Sequence, residues 1–247
     1  DLVRSRGLGD VYKRQHMEDD LPDDLLKEYE LAIKKRAEHI PLQYIVGETE
    51  FMGLKFKVNS NVLIPRQDTE TLVEEALKTV KPGMKVLDMC TGSGCIIISI
   101  LHNVEGVKGY AVDISKQAVN VAKENAKLNE VPVLFERSDL FEMVTEKFDV
   151  IVSNPPYIPT DVIPQLMPEV QVFEPIEALD GKEDGLYFYR KIVEQSKDYL
   201  NSGGSLMFEI GYDQGKDVSK MMTDAGFSNV CVKKDLAGND RVVTGML

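Results

Sequence analysis

From residue 85 onward, apolar strands and amphipathic helices alternate along the chain, and this alternation restricts the possible folds more than any other feature. The predicted strands are residues 85–89, 109–112, 133–136, 148–153 and 205–210, with two more near residues 230 and 242. The predicted helices are residues 95–103, 116–128, 186–200 and 214–225, and Ser115 is the predicted N-cap of the second. Strands that alternate with helices at this spacing form a parallel sheet with helices on both faces. The last two strands lie close enough in sequence to pair antiparallel at one edge.

The chain before residue 85 shows a different pattern. Residues 1–16 have neither helical nor strand periodicity, and we expect them to be a non-native leader. Residues 22–37 form a helix candidate with an acidic start and a basic end. Residues 44–62 resemble a β-hairpin in which Gly53 takes the turn. A further helix to about Val80 is predicted, with Asp68 or Thr69 as its N-cap.

Composition excludes several classes of function. The 247 residues include 43% hydrophobic and 28% charged residues, as in an ordinary globular protein, and no apolar run approaches the length of a bilayer span. The net charge of −12 argues against a long nucleic-acid track. The three cysteines lack zinc spacing, so we expect reduced thiols, a cytoplasmic location and no metal site.

The ends of the predicted strands carry the residues of a ligand site. In an open α/β sheet, ligands bind beyond the carboxyl ends of the strands, at the point where the strand order reverses. The first strand runs into "VLDMCTGSG", where Gly92 and Gly94 permit a tight turn and a close approach to a ligand. The second ends in Asp113, a carboxylate suited to ribose hydroxyls, and the third in Ser138 and Asp139.

A glycine turn alone is weak evidence, because many strand-to-helix turns contain glycine. A dinucleotide dehydrogenase is the nearest rival interpretation, but its fingerprint requires a third glycine where Ile97 stands. A P-loop is excluded because no Gly-Lys-Ser/Thr follows. The cofactor therefore need not carry phosphates, which fits S-adenosylmethionine better than NAD.

The fourth strand ends in "SNPPY", a stretch that suits a grip on a planar amide or amino group. An amide nitrogen is a poor nucleophile, so it must be held with its lone pair aimed at the methyl carbon. The side-chain oxygen of Asn154 can accept one N–H, and the main-chain carbonyl of Pro155 can accept the other. Tyr157 would then cover the planar face. Because proline locks φ, the carbonyl direction is set in advance, and positioning replaces a strong general base.

Taken together, these motifs identify a family. "IPLQYIVGETEFMGLKFKVNSNVLIPRQDTETLVE", "VLDMCTGSG", "AVDIS", "SDLF", "IVSNPPYI", "FEP" and "GNDRVV" occur in an order that resembles the HemK/PrmC family, the peptide chain release factor glutamine-N5 methyltransferases. The resemblance covers the chain from about Leu21 to Leu247. It implies a Rossmann-like class I methyltransferase fold with a mostly parallel seven-stranded sheet, preceded by a helix and a hairpin.

The resemblance also implies a cofactor, a substrate and their residues. S-adenosylmethionine is the expected cofactor, and the glutamine of the Gly-Gly-Gln loop in class I release factors is the expected substrate. The residues expected around the cofactor are Asp88, Cys90, Thr91, Gly92, Ser93, Gly94, Asp113, Ser138, Asp139, Leu140 and Asn154. Those expected around the substrate are Asn154, Pro155, Pro156 and Tyr157, of which Asn154, Pro155 and Tyr157 carry the catalytic role. We expect Asp88 to act by orienting the glycine loop through backbone N–H groups.

The sequence departs from the family pattern at three places. Cys90 stands where the family often has glycine, and we expect a tolerated change in loop packing. Leu140 replaces a tryptophan, which keeps an apolar wall but loses ring stacking. We expect residues 17–62 to hold a remnant of the family's N-terminal helical domain plus the hairpin, and residues 63–247 to form the methyltransferase domain. Such a remnant would reflect either a truncated fragment or a misread gene start, and we expect it to preserve methyl-donor binding but to affect docking of the protein substrate.

Two interpretations stay open for each of three further side chains, and two other functions are alternatives to the methylation of release factors. Arg66 and Glu70 either shape the substrate mouth or form a surface ion pair, and Glu174 either lines the pocket or caps a loop. An adenine-N6 nucleic-acid methyltransferase shares the Asn-Pro-Pro-Tyr stretch, because an exocyclic amino group poses the same geometric problem. A non-enzymatic adaptor that binds the methyl donor is the other alternative. No membrane association and no stable nucleic-acid binding are expected.

Overall fold

The computed structural model describes residues 22–247. The predictions for residues 1–16 and for the chain up to residue 21 lie outside this described part. Within it, nine strands β1 to β9 span Glu48–Phe51, Leu54–Lys57, Lys85–Met89, Lys108–Asp113, Val133–Arg137, Phe148–Ser153, Leu200–Glu209, Ser228–Lys234 and Asp240–Met246. Eight α-helices α1 to α8 span Asp23–Ala37, Leu42–Val46, Glu70–Thr79, Cys95–Asn103, Lys116–Leu128, Pro168–Phe173, Tyr187–Tyr199 and Gly215–Asp224.

Seven strands form one sheet in the order β5-β4-β3-β6-β7-β9-β8. The pairs β4–β5, β3–β4, β3–β6 and β6–β7 are parallel, whereas β9 is antiparallel to both β7 and β8. The mostly parallel seven-stranded sheet and its antiparallel edge are confirmed. The strand order reverses between β3 and β6, so the carboxyl ends of β3, β4 and β6 converge at the expected ligand position.

The central strands are buried on both faces because their apolar residues alternate between two helical layers. Val86 and Val150 pack with α3 and α4 on one face of the sheet. Leu87 and Ile151 pack with α7 and α8 on the other. Helix α4 is buried from Cys95 through Leu101, which explains why its sequence is apolar all round.

The N-terminal hairpin is fixed to the sheet domain in part through a buried amide. Asn125 in α5 accepts the backbone N–H of Lys57 at 2.7 Å, and its side-chain nitrogen donates to the carbonyls of Lys57 at 3.0 Å and Ser93 at 2.9 Å. Ser93 belongs to the glycine turn after β3. The hairpin and the turn are therefore held in a fixed relation, which places residues 61–66 beside the ligand site.

Three local predictions differ from the structure. Residues 44–46, predicted as part of the hairpin, belong to helix α2, whose C-cap is Gly47 with φ of 84°. A proline before the segment, Pro41, and a glycine after it favour a short helix over a strand. Strand β7 begins five residues earlier than predicted, because Gly203 and Gly204 allow a register shift rather than ending the strand. Thr69 does lie at the N-cap of α3, but its side chain makes no capping hydrogen bond.

Candidate active site

A cavity of about 380 Å³ opens at the carboxyl ends of β3, β4 and β6, which is a volume suited to a small cofactor. The predicted site residues on its wall are Cys90, Thr91, Gly92, Ser93, Asp113, Ser138, Asp139, Leu140, Asn154 and Pro156. Asp88, Gly94, Pro155 and Tyr157 lie behind or beside that wall. The structure therefore brings the two halves of the predicted site, donor and acceptor, to a single cavity.

The turn after β3 depends on three residues in the left-handed region, Cys90 with φ of 62°, Gly92 with φ of 55° and Gly94 with φ of 82°. A Cβ at Gly94 would lie 3.0 Å from Ile98 Cδ1 and 3.1 Å from Ala122 Cβ, so this glycine permits close packing of the turn against two helices. A Cβ at Gly92 would meet nothing within 4 Å. Gly92 therefore leaves room on the cavity side of the turn.

Asp113 joins the first two strand ends. One carboxylate oxygen accepts the backbone N–H of Gly92 at 2.8 Å, and the other accepts that of Ser115 at 2.9 Å. Each oxygen retains a lone pair, because an ionised carboxylate offers about four acceptor positions. Burial raises the pKa of Asp113 while these backbone N–H groups oppose the rise. The side chain is thus fixed in place and can still accept hydroxyl groups of a ligand.

Asp88 lies fully buried beneath the glycine turn. One of its oxygens accepts the hydroxyl of Thr91 at 2.6 Å, so the expected hold on the turn exists but acts through a side-chain hydroxyl. The other oxygen, Oδ1, has no hydrogen-bond partner among residues 22–247. Burial raises the pKa of Asp88 to about 7, against the lowering effects of Thr91 and of the backbone N–H of Ile97.

The loop after β5 is tightened by its own serine. The Ser138 hydroxyl donates to the carbonyl of Leu140 at 2.7 Å and accepts the backbone N–H of Met143 at 3.0 Å. Leu140 has a φ of 47°, so this turn holds a non-glycine residue in the left-handed region. Ser138 is consequently engaged within the loop, and Leu140 faces the cavity as an apolar wall. Two aromatic residues that the sequence analysis did not select, Tyr187 and Phe188, also line the cavity.

The Asn-Pro-Pro-Tyr stretch follows β6 directly. Pro155 and Pro156 are buried, and Asn154 is half-buried on the cavity wall. The side-chain nitrogen of Asn154 lies 3.4 Å from the hydroxyl oxygen of Thr69. No hydrogen bond within residues 22–247 uses the backbone carbonyl of Pro155. A carbonyl without a protein partner can accept a hydrogen bond from a ligand that reaches it.

Tyr157 lies beside the cavity rather than on its wall and packs against the apolar core beneath α7. Its backbone carbonyl accepts the side-chain amide of Gln214 at 3.0 Å, which anchors the end of the stretch. Burial, and then the charge of Glu209, raise the pKa of its phenol, while Arg241 opposes them. The phenol is therefore neutral at physiological pH.

Three residues near Asn154 were not selected from the sequence: Thr69, Glu209 and Arg241. Thr69 lines the cavity, whereas Glu209 at the end of β7 is only 1% exposed. Burial raises the pKa of Glu209 to about 7. Three effects oppose this rise: hydrogen bonding from Thr69, the charge of Arg241 and hydrogen bonding from Asn154. The signal available in the sequence was the position of Glu209, a charged residue that ends an apolar strand next to β6.

Arg66 and Glu174 connect two segments of the cavity rim. Arg66 donates to Glu174 at 2.6 Å, and the Glu174 side chain is 1% exposed, so this is a partly buried ion pair rather than a surface one. Burial raises the pKa of Glu174, and Arg66 opposes the rise. Glu70 instead accepts the backbone N–H of Met52 at 2.8 Å and ties α3 to the hairpin. Arg66 thus shapes the mouth through Glu174, not Glu70.

Across residues 22–247, no group of three or more His, Cys, Asp or Glu side chains has a metal-binding arrangement. None of the helices in the same range is long and apolar enough to cross a bilayer.

Known proteins resemble this chain in sequence and in fold. Profiles of two families match, the Methyltransferase small domain over residues 66–166 and the PrmC N-terminal domain over residues 7–47. The release factor glutamine methyltransferase of Thermodesulfovibrio yellowstonii is 46% identical over 217 residues, which cover 85% of this chain and 78% of that protein. The protein of the same name from Clostridium botulinum is 45% identical over 234 residues, covering 90% and 83% respectively.

A solved structure supports the fold independently. The crystal structure of a methyltransferase from Pyrococcus furiosus superposes with a TM-score of 0.60 at 21% identity, covering 86% of this chain and 98% of that one. With relatives this similar over most of their length, the chain belongs to the release factor glutamine methyltransferase family.

Proposed function

We propose that this protein is an S-adenosylmethionine-dependent methyltransferase whose substrate is the side-chain amide nitrogen (N5) of the glutamine in the Gly-Gly-Gln motif of class I peptide chain release factors. The observation that carries the proposal is the end of β6. There Asn154 stands on the cavity wall, and the carbonyl of Pro155 has no partner within residues 22–247. The relatives that share this family are named for the same reaction.

The cavity fits the proposed cofactor. Gly92 leaves open space beside the turn, Asp113 keeps acceptor positions for ribose hydroxyls, and Leu140 supplies an apolar surface. These residues, together with the backbone of the turn, would hold the cofactor. When bound, S-adenosylmethionine supplies an electrophilic methyl group on a positively charged sulfur. The carboxylate of Asp113 beside the glycine turn suits a ligand that presents hydroxyl groups there rather than phosphates.

The acceptor side holds a flat carboxamide by its two N–H groups. Asn154 offers its side-chain oxygen and Pro155 its carbonyl, and both are attached to a backbone that two prolines stiffen. These bonds orient the amide nitrogen, and Tyr157, which lies beside the cavity, anchors the end of the stretch that makes them. Orientation of this kind supplies several kcal/mol of a reaction barrier, so no strong base is needed to begin the transfer. Methyl transfer leaves S-adenosylhomocysteine as the product of the donor, and the methylated amide nitrogen then releases one proton to water.

A labelled-methyl assay tests the proposal. The protein is incubated with labelled S-adenosylmethionine and with an intact release factor, a Gln→Ala version of its loop, or adenine-rich DNA. We expect label on the intact factor only. Asn154→Ala should lose transfer by about 100-fold or more while calorimetry still detects cofactor binding. Label on DNA would instead establish the nucleic-acid methyltransferase, and binding without any transfer would establish the adaptor.

The partners follow from the same proposal. The release factor is a transient protein substrate, and the net charge of −12 does not suit stable nucleic-acid binding. A cytoplasmic location, where release factors and reduced thiols occur together, is part of the proposal.

A further inference from the structure

Thr69 occupies the N-cap position of α3, but its side chain does not cap the helix. A threonine at an N-cap normally turns its hydroxyl to accept a backbone N–H two or three residues later. Here the preceding residues 67–69 form a 3-10 turn, Thr69 has helical φ and ψ of −65° and −21°, and no side-chain cap bond forms. The hydroxyl lies instead 3.4 Å from the side-chain nitrogen of Asn154. The helix thus forgoes a stabilising cap, and the hydroxyl contacts the proposed catalytic amide.

This contact determines which end of the Asn154 amide faces the substrate. An asparagine side chain can present either its oxygen or its nitrogen to a ligand, and only the oxygen can accept an N–H. Because the nitrogen is directed to Thr69, the oxygen is left for the cavity. If the Asn154 nitrogen faced the cavity instead, its N–H groups would meet the N–H groups of the substrate carboxamide. Two donors cannot form a hydrogen bond, so the substrate would not be held.

Glu209 explains why the Thr69 hydroxyl accepts rather than donates at Asn154. An ionised carboxylate only accepts hydrogen bonds, so it takes the single proton of a hydroxyl within reach and leaves that oxygen with its lone pairs free. Glu209 is 1% exposed, and the Thr69 hydroxyl and the Asn154 amide both lower the pKa of its carboxyl. Its Oε2 has no partner within residues 22–247. The neighbours of this carboxyl are therefore the Thr69 hydroxyl and the Asn154 amide.

The charges around Glu209 oppose one another, because Arg241 favours its ionised form whereas Asp68 disfavours it. Arg241 is 8% exposed, pairs with Asp68 and Asp235 at 3.1 Å each, and donates to the carbonyl of Ile210, the residue after Glu209, at 3.3 Å. Its positive charge is fixed beside β7 by these contacts. The titratable groups that face Glu209 from all packed elements are Arg241, Asp68, Tyr157, Tyr189 and Cys95.

We propose that Thr69 and Glu209 are positioning residues that lock the amide of Asn154 with its oxygen toward the substrate carboxamide. The proposal rests on the proposed function, because it assigns these two residues to the acceptor half of that site. Thr69 lines the cavity and reaches Asn154 with its hydroxyl, whereas Glu209 is not on the cavity wall. Their effect on the reaction passes through the orientation of Asn154 alone.

Thr69→Val and Thr69→Ser form the first test. Valine keeps the shape of threonine without the hydroxyl, and serine keeps the hydroxyl without the methyl group. We expect Thr69→Val to lower kcat at saturating release factor by about 10- to 100-fold, since a misoriented positioning group costs a reaction up to that much. Thr69→Ser should stay within about threefold of the wild type. Both should bind S-adenosylmethionine with a Kd within about twofold of the wild type.

Glu209→Gln is the second test and remains informative if Thr69→Val does not fold. A glutamine can turn its amide nitrogen toward Thr69, so the hydroxyl is no longer forced to accept from Asn154. We expect the wild-type kcat to rise with pH through the range near 7 in which Glu209 ionises. This rise should be absent in Glu209→Gln, whose kcat should be lower throughout.

Ser196→Ala is the matched control, because it removes a buried hydroxyl that donates to the Val193 carbonyl in α7, far along that helix from the cavity. Its kcat and its Kd should be unchanged. For Thr69, the proposal is overturned if Thr69→Val keeps wild-type kcat, if Thr69→Ser is impaired as strongly as Thr69→Val, or if cofactor affinity falls in parallel with kcat. For Glu209, it is overturned if kcat of Glu209→Gln still rises with pH. Failure of the proposed function is distinguishable, because the wild type would then not methylate the release factor at all.

Discussion

Glu209→Gln should also stabilise the protein at high pH while it impairs the reaction. Burial raises the pKa of Glu209 from 4.5 to about 7. Because the folded pKa lies above the unfolded one, the folded state binds more protons between these two values. The free energy of unfolding of the wild type therefore falls as pH rises through this range, and the loss is complete above the folded pKa. The rise in pKa corresponds to ~3 kcal/mol at most.

Glutamine carries no charge, so the variant lacks this loss. The stability difference, variant minus wild type, should be small near about pH 5 and should grow to ~3 kcal/mol at about pH 8.5, with the pH dependence of all other groups cancelling. Urea unfolding at several pH values measures it, and in thermal unfolding the difference corresponds to roughly 6–12 °C for a chain of this size. Ser196→Ala alters no ionisable group and should give a difference that does not change with pH.

The outcome that refutes this reasoning is a flat difference curve for Glu209→Gln, or a wild type that becomes the more stable protein as pH rises. Either result would mean that the carboxyl is well solvated or fully compensated by Arg241 in the folded state. A confirmed rise would show that the fold carries a buried carboxyl at a cost in stability. Such costs are characteristic of groups retained for function.

Two further predictions concern the turn after β3. Gly94→Ala should lower stability by about 2 kcal/mol, because its Cβ would crowd Ile98 and Ala122 at a φ of 82°. Gly92→Ala should cost less stability but reduce cofactor affinity about tenfold, since its methyl group adds to an open part of the turn. Thermal unfolding measures the stability losses and calorimetry the cofactor affinities, and equal stability losses in the two variants would contradict the assignment. Cys90→Gly should be more stable than Cys90→Ala by about 1 kcal/mol, because both lack the thiol but only glycine relieves the left-handed φ of 62°; an alanine variant of equal or greater stability would show that the turn is not strained there.

Much of the fold was predictable because its signals are local. The strands 85–89 and 148–153 and the helices 95–103 and 116–128 agree with the structure to within a residue, since each is bounded by a turn, a cap or a change of periodicity. Ser115 caps α5 as predicted, accepting the N–H of Ala118 at 3.2 Å. The parallel sheet follows from the alternation itself. Gly203 and Gly204 misled the prediction of β7, because a register shift depends on the partner strand.

The candidate site, like the fold, has features that local sequence predicts and features that depend on tertiary packing. The residues at the strand ends, from the glycine turn to Asn154, are recognisable from sequence because backbone geometry and the sheet topology require them there. Which atoms they use was decided only by tertiary packing: Asp88 bonds a hydroxyl, Arg66 pairs with Glu174, and Tyr157 lies beside the cavity.

The cluster of Thr69, Asn154 and Glu209 illustrates the limit most clearly. Its members are separated by 85 positions between Thr69 and Asn154, and no periodicity or spacing links them. Only the parallel alignment of β6 with β7, and the packing of α3 against the sheet, bring them together. The sequence by itself determined the sheet, the glycine turn and the amide-binding stretch, because those depend on neighbouring residues. The orientation of the Asn154 amide depends on groups distant in sequence, and so it was decided by the tertiary structure.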